Sequence, residues 1–363
     1  MTALQPRPGI LDIKPYVPGK STVGGRAVAI KLSANESALG PSPKAFAAYK
    51  AVSGELYRYP DGTSGNLRAA LAGRNGLSVD RIVCGAGSDE LLYNLARAYA
   101  GPGDEVLYSE HGFNIYPIVA LCVGANPVTA PETNLTVDVD SLLARVSEKT
   151  KIVFVANPNN PTGSYISAEE MTRLRRGLPP ETLLVIDSAY AEYVTRNDYS
   201  PGIDLVDAAE NTVMTRTFSK IYGLAALRIG WAYCPPSIAD VLNRLRGPFN
   251  LSTSAQAAGV AALGDVGHIA ASRDHNSIWL PWLSDRLANL GLTVLPSVAN
   301  FILVRFPGDK GRDAASAMTY FSENGVVPRE TIGYGLPDCL RITIGREDEV
   351  RAVAKIAADF MRK

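Results

Sequence analysis

The feature that most constrains the fold of this chain is a regular alternation of two residue patterns between positions 43 and 263. Short runs rich in β-branched residues alternate there with longer segments of helical periodicity. This alternation predicts α/β architecture with a mostly parallel central sheet. The predicted strands are residues 81–84, 105–108, 151–155, 183–186 and 212–215.

The remainder of the chain predicts a smaller α+β unit. A helix over residues 270–290 is expected to lead out of the large sheet, followed by strands at 300–304 and 340–344 and a helix at 313–324. The first thirty residues are rich in Pro and Gly and predict an extended arm. We therefore expect three parts: an arm with part of the small domain (1–42), a large domain (43–265) and a small C-terminal domain (266–363).

Charge and cysteine content narrow the classes of function that the protein can have. Lys and Arg together number 36, as do Asp and Glu, so the chain offers no overall field for nucleic acid or an anionic membrane. The four cysteines are scattered and form no metal-ligand pattern with the three histidines, so we expect free thiols and no metal. The N-terminus has no apolar run typical of a signal peptide, and we expect a cytoplasmic protein.

Polar or glycine-rich residues follow several predicted strands, where ligands of parallel sheets bind. After the strand at 81–84, residues 85–90 are small or polar and open a helix, which suits an anion site at Ser88 and Asp89. The alternative is that one of these two side chains caps the helix and binds no ligand. After the strand at 151–155, two Asn-Pro steps and a glycine predict a rigid turn. Its Asn160 either donates a hydrogen bond to a ligand or serves the turn alone.

Asp187 follows the predicted strand at 183–186, and Tyr190 comes three residues later. A carboxylate at the end of a buried strand is costly unless a positive or hydrogen-bonding group meets it. A protonated pyridine nitrogen would satisfy it, and a helix cap is the structural alternative.

Lys220 lies just beyond the predicted strand at 212–215, behind the hydroxyl residues Thr217 and Ser219 and ahead of Arg228. Its apolar neighbours are poor surroundings for solvated charges, and burial would lower the pKa of the lysine and keep it nucleophilic. An amine beside an anion site is the arrangement in which a lysine forms a Schiff base with pyridoxal phosphate.

These segments together resemble the fold-type I aminotransferases over nearly the whole chain, and within them the branch that acts on histidinol phosphate. The motifs that carry the resemblance are Lys31-Leu32-Ser33-Ala34-Asn35-Glu36, Arg58-Tyr59-Pro60-Asp61-Gly62, Gly87-Ser88-Asp89-Glu90, Asn160-Pro161-Thr162-Gly163, Asp187-x-x-Tyr190, Thr217-Phe218-Ser219-Lys220, Arg228 and Leu340-Arg341-Ile342-Thr343-Ile344-Gly345.

The resemblance implies a pyridoxal 5'-phosphate enzyme in which Lys220 binds the cofactor covalently and then moves the substrate's proton. Asp187 would hold the ring nitrogen protonated. The other implied cofactor contacts are Asn160 and Tyr190 on the phenolic oxygen, Phe113 on the ring face, and Arg228, Thr217, Ser219, Ser88 and Asp89 on the phosphate. Tyr59 would reach that phosphate from a partner subunit, which implies a homodimer with shared active sites.

For the substrate, the resemblance assigns Arg341 to the α-carboxylate, a task suited to a planar guanidinium. Asn35 and Tyr16 would complete that side. Arg329 corresponds to the arginine near the substrate's phosphate, and a surface role is its alternative. The implied reaction transfers an amino group between L-histidinol phosphate and 2-oxoglutarate.

Departures from the family pattern concern the substrate. His111-Gly112 stands where Pro-Thr is common before the stacking aromatic residue, close to the expected substrate pocket. An aromatic amino acid (phenylalanine or tyrosine) aminotransferase on the same scaffold is therefore the nearest alternative. A decarboxylase of a phosphorylated amino acid and a non-catalytic regulator are the others.

Overall fold

The computed structural model describes residues 6–15, 22–23, 26–27 and 30–362. Within them the α-helices are α1 (Pro43–Ala51), α2 (Gly65–Asn75), α3 (Ser88–Tyr99), α4 (Ile115–Val123), α5 (Val139–Arg145), α6 (Ala168–Gly177), α7 (Ile203–Ala208), α8 (Pro236–Leu245), α9 (Thr253–Gly264), α10 (Val266–Ala288), α11 (Ala314–Glu323) and α12 (Glu347–Met361). The strands are β1 (Thr22–Val23), β2 (Arg26–Ala27), β3 (Ile30–Lys31), β4 (Ile82–Gly85), β5 (Glu105–Ser109), β6 (Asn126–Ala130), β7 (Glu132–Thr133), β8 (Thr136–Val137), β9 (Thr150–Ala156), β10 (Leu183–Asp187), β11 (Thr212–Thr217), β12 (Gly230–Tyr233), β13 (Thr293–Val294), β14 (Phe301–Arg305), β15 (Val326–Val327), β16 (Arg329–Glu330) and β17 (Cys339–Thr343).

The large sheet has seven strands in the order β4-β12-β11-β10-β9-β5-β6. Strands β11, β10, β9, β5 and β6 pair in parallel, and β12 runs antiparallel to both β11 and β4. The prediction of a mostly parallel α/β sheet is therefore confirmed. All five predicted strands of this sheet form, and β6 and β12 are additions that the prediction lacked.

Helices cover both faces of this sheet, as a parallel sheet requires. Successive side chains of β9 point to opposite faces, so Ile152 and Phe154 pack in a cluster with α3, α4 and α8. Val153 and Val155 pack instead with α5 and α6. This burial fixes the register of the strands and holds their carboxyl ends along one edge.

The smaller sheet has the order β13-β14-β17-β16 and is antiparallel throughout. Helices α10, α11 and α12 cover it and share one apolar core with it. Leu32, just after β3, belongs to the same core. The predicted helix at 270–290 is observed as α10, which begins four residues earlier, and the domain boundaries at 42 and 265 stay a prediction.

The extended arm predicted for the first thirty residues lies partly outside the described residues. In its described part, one turn of 3₁₀ helix forms at Ile10–Asp12, and an Arg7 guanidinium nitrogen donates to the backbone oxygen of Cys122 at 2.8 Å. Residues 6–15 are thereby joined to α4. Across the part of the chain that is described, no helix is both long and apolar enough to cross a membrane.

Candidate active site

One cavity of about 280 Å³ opens at the carboxyl ends of the parallel strands. The ends of β9, β10 and β11 and the loops after β4 and β5 line it, together with residues from the small sheet and from the segment after β3. The cavity brings together twelve of the predicted site residues: Asn35, Ser88, Asp89, Phe113, Asn160, Asp187, Tyr190, Thr217, Ser219, Lys220, Arg228 and Arg341.

Two described residues of the prediction, Tyr59 and Arg329, are not part of this lining. Tyr59 is 82% exposed and stacks on Phe249 with ring centroids 4.6 Å apart. Arg329 is half-buried in β16. Tyr16 lies outside the described residues. The predicted roles of all three therefore stay predictions.

Lys220 lies in the loop after β11 with its amine in the cavity. The Nζ atom donates to the backbone oxygen of Ala34 at 3.3 Å and lies 5.5 Å from the centroid of the Tyr190 ring. The side chain is half-buried rather than fully enclosed. The amine thus stands at the junction of the large sheet and the segment after β3.

Asp187 ends β10 and is only 4% exposed. It points to the same face of the sheet as Val185, so it meets α4, where the Tyr116 hydroxyl donates to Oδ2 at 3.2 Å. The Thr215 hydroxyl donates to Oδ1 at 3.3 Å. Burial, reinforced by the negative charge of Asp89, raises the pKa of Asp187 to about 6. A cationic N–H group placed against this carboxylate would lower that pKa.

Tyr190 is fixed by a chain of polar contacts that crosses to the small sheet. The Asn35 side-chain amide donates to the Tyr190 hydroxyl oxygen at 3.0 Å, and the Thr343 hydroxyl in β17 donates to Asn35 Oδ1 at 3.1 Å. Burial raises the pKa of Tyr190 to about 12, so its hydroxyl keeps its proton at neutral pH. The hydroxyl can therefore donate a hydrogen bond into the cavity.

Arg341 projects from β17 and is 4% exposed. One terminal nitrogen donates to Asn160 Oδ1, and the other donates to the backbone oxygen of Ser33 at 2.7 Å. Its buried Nε has no hydrogen-bond partner among the described residues. A buried guanidinium with a donor to spare suits a carboxylate ligand.

An anion site forms where α3 begins. Arg228 donates to the Ser219 hydroxyl at 3.1 Å and contacts Asp89 Oδ2 at 3.2 Å, and the Thr217 hydroxyl donates to Ser219 Oγ at 3.0 Å. The free N–H groups and dipole of this twelve-residue helix favour an anion beside Ser88. The Arg228 side chain is 47% exposed, because it lies at the cavity's edge.

Sequence reasoning missed several residues of the site. Tyr116 hydrogen-bonds Asp187 and stacks on Phe154 within the core. In the sequence it is indistinguishable from an ordinary apolar helix residue. Ser33 and Tyr334 also line the cavity. Ser33 lies within the motif at residues 31–36 but was assigned no role, and no local pattern marks Tyr334. Phe113, which was predicted, lies edge-on to Tyr116 with ring centroids 5.9 Å apart.

Comparison with known proteins identifies the protein family. Residues 27–356 match the profile of the family described as aminotransferase class I and II, and the chain belongs to that family. It is 58% identical over 361 residues to the histidinol-phosphate aminotransferase of Paramagnetospirillum magneticum, with 99% of each chain covered. It is 56% identical to that of Rhodopseudomonas palustris, with 98% of each covered.

Solved structures agree with this assignment. The histidinol-phosphate aminotransferase from Sinorhizobium meliloti, solved in complex with pyridoxal-5'-phosphate, superposes with a TM-score of 0.87 at 30% identity, covering 99% of both chains. An aspartate aminotransferase variant from Thermus thermophilus superposes with a TM-score of 0.83 at 21% identity. The second likeness shows the fold alone, which is that of the fold-type I enzymes.

Proposed function

We propose that this protein is a pyridoxal-phosphate-dependent transaminase that moves an amino group between L-histidinol phosphate and 2-oxoglutarate, a step of histidine biosynthesis. The observation that carries the proposal is the convergence of a lysine amine, a buried carboxylate and an anion site in one cavity. Relatives named for this activity, at 58% and 56% identity over nearly the full chain, support the substrate.

The cavity fits pyridoxal phosphate. When bound, this cofactor supplies an electrophilic carbon and an electron-withdrawing ring. Asp187 would pair with its ring nitrogen, a cationic partner of the kind that a buried carboxylate needs. Arg228, Ser219, Thr217 and the start of α3 would hold its phosphate.

Around the reacting carbon, the chain's own groups hold and move protons. Lys220 Nζ would act as general base and acid on the substrate's Cα proton. Tyr190 and Asn160 would donate hydrogen bonds to the ring's phenolic oxygen, and Phe113 would pack on the ring face. The order would be ping-pong, because amino donor and amino acceptor would occupy this one cavity in turn, the first product leaving before the second substrate binds.

Two arginines suit a pair of substrates that each carry an anionic group. Arg341 and Arg329 are directly paired across β17 and β16, so their side chains leave the sheet on the same face. Arg341 with its spare Nε suits the carboxylate of the amino acceptor, 2-oxoglutarate. Arg329 is the nearby cation for the phosphate of histidinol phosphate, a group that phenylalanine does not have.

The test compares histidinol phosphate with phenylalanine as amino donor, for the wild type and for Arg329→Gln. We expect histidinol phosphate to have the higher kcat/KM, and the substitution to lower it roughly 10-fold to 100-fold by removing charged hydrogen bonds, with no effect on phenylalanine. Arg351→Gln, an exposed arginine of α12, is the control. A kcat/KM for phenylalanine far above that for histidinol phosphate would contradict the proposal. Release of carbon dioxide in the absence of a keto acid would also contradict it.

The proposal includes a cytoplasmic homodimer with shared active sites. Its support is a surface of exposed apolar side chains around Tyr59 and Phe249, which includes Leu56 and Tyr57 at 81% and 78% exposure. Such a surface is typical of an interface. All four cysteines are free, which fits a reducing compartment.

A further inference from the structure

We propose that His111 is a positioning residue that fixes Tyr334 in the wall of the active-site cavity and so sets how tightly the amino donor binds. The ring Nδ1 lies 2.7 Å from the backbone oxygen of Tyr334. Because a carbonyl oxygen only accepts hydrogen bonds, Nδ1 carries the proton in this contact. The inference rests on the proposed transaminase function and adds a specificity residue to it.

Tyr334 occupies a position from which a small shift alters the cavity. It ends the 3₁₀ turn Ile332–Tyr334 in the connection between β16 and β17, the two strands that carry Arg329 and Arg341. Its side chain is 5% exposed and lines the cavity that holds Lys220. It also lines a second cavity of about 200 Å³ that His111 shares. Tyr334 thus borders both cavities.

His111 is itself firmly held, which a positioning residue needs. Its backbone N–H donates to Glu132 Oε1 at 3.2 Å, and its backbone oxygen accepts from the Asn159 side-chain amide at 3.2 Å. Asn159 directly precedes Asn160, which lines the active-site cavity. The histidine therefore joins the loop after β5, the turn after β9 and the connection that carries Tyr334.

The connection also lies in van der Waals contact with the loop after β5. Gly335 has φ +76°, and a Cβ there would lie 3.5 Å from the His111 ring. A Cβ on Gly333 would lie 3.4 Å from Asn114 Nδ2. The hydroxyl oxygen of Thr331 lies 2.7 and 2.8 Å from the backbone oxygens of Leu336 and Cys339, which share its one proton. These last bonds shape the connection internally, whereas the His111 bond ties it to the large sheet.

The test replaces the donor and then restores it. His111→Leu removes the N–H, and His111→Asn keeps an N–H near the position of Nδ1. The control is His268→Leu, since His268 also bonds a backbone oxygen, that of Gly40 at 3.1 Å, without lining either cavity. The measurements are kcat, KM for histidinol phosphate, the Kd of pyridoxal phosphate, and hydrogen exchange of residues 331–336.

For His111→Leu we expect KM for histidinol phosphate to rise roughly threefold to tenfold, the scale of one hydrogen bond, with kcat and cofactor Kd within about twofold. Exchange of residues 331–336 should accelerate. His111→Asn should recover most of the loss, and His268→Leu should match the wild type. Unchanged KM in His111→Leu, an equal loss in His111→Asn, or a parallel loss of cofactor affinity would overturn the inference.

Hydrogen exchange separates this inference from the proposed function. If the wild type does not turn over histidinol phosphate, the proposed function fails, and the exchange of residues 331–336 still reports whether His111 holds the connection. Exchange that is equal in His111→Leu and the wild type overturns the positioning role even where the wild type is fully active.

Discussion

Asp187 is the residue whose environment most directly reports the chemistry of the site. Its carboxyl is buried with two hydroxyl donors, from Tyr116 and Thr215, and burial still raises its pKa to about 6. The sequence predicted the buried carboxylate because it follows an apolar strand. It could not predict the two hydroxyls, because their proximity depends on how α4 and β11 pack around β10.

The raised pKa of Asp187 predicts a pH dependence of stability in the cofactor-free protein. The native carboxyl holds its proton up to a pH near 6, whereas the unfolded one loses it near 3.8. The unfolded state therefore binds fewer protons between these values, and stability falls as pH rises through them, by about 3 kcal/mol in all.

Asp187→Asn should remove this dependence. In urea unfolding of the cofactor-free proteins between pH 4 and pH 7.5, we expect the stability of the variant relative to the wild type to increase by about 2.5 kcal/mol as pH rises. Because other titrating groups are common to both proteins, the difference isolates Asp187. Parallel profiles for the two proteins would show that the carboxyl is not perturbed.

At the scale of elements, the site is made by loops that follow strands of one parallel sheet. The sequence located those loops well, because each apolar strand stops where polar or glycine residues start. It missed β12 (Gly230–Tyr233), a short apolar run that periodicity does not distinguish from a buried helix segment. It also missed β6, whose Pro127 is tolerated only because β6 is an edge strand.

The start of α3 depends on Gly87. This residue has φ +80°, and a Cβ there would lie 2.2 Å from an Arg228 guanidinium nitrogen. Gly87→Ala should therefore displace Arg228 and distort the anion site, weakening pyridoxal phosphate binding by roughly 10-fold or more, the scale of lost charged hydrogen bonds. Fluorescence titration with the cofactor measures the change.

Gly73→Ala is the matched control, since Gly73 lies inside α2 and a Cβ there meets nothing within 4 Å. It should leave cofactor affinity unchanged and stabilise the protein by about 0.5 to 1 kcal/mol. Equal cofactor affinity in Gly87→Ala and the wild type would contradict the assigned role of the start of α3.

At the scale of the whole molecule, the cavity is completed by bonds between residues distant in sequence. Arg341 reaches Asn160 across 181 positions, and Asn35 reaches Tyr190 across 155. No local pattern reports such pairings. These residues were nonetheless identified through family resemblance, whereas Tyr334, which belongs to no quoted motif, was not.

Substitution of Tyr59 tests the proposed homodimer with shared active sites. If its hydroxyl completes the phosphate site of a partner subunit, Tyr59→Phe should raise the Kd of pyridoxal phosphate roughly threefold to tenfold and leave the sedimentation of the dimer unchanged. Tyr57→Phe, a neighbouring exposed tyrosine, is the control. A monomeric wild type, or identical cofactor affinity in Tyr59→Phe and Tyr57→Phe, would rule out the shared site.

The most direct test of the proposed chemistry is to identify the lysine to which the cofactor attaches. Pyridoxal phosphate is added to the protein, the complex is reduced with borohydride, and the peptides are analysed by mass spectrometry. We expect the mass of the reduced cofactor on the peptide that contains Lys220, and loss of both adduct and transamination in Lys220→Ala. An adduct on a different lysine, or full turnover by Lys220→Ala, would contradict it.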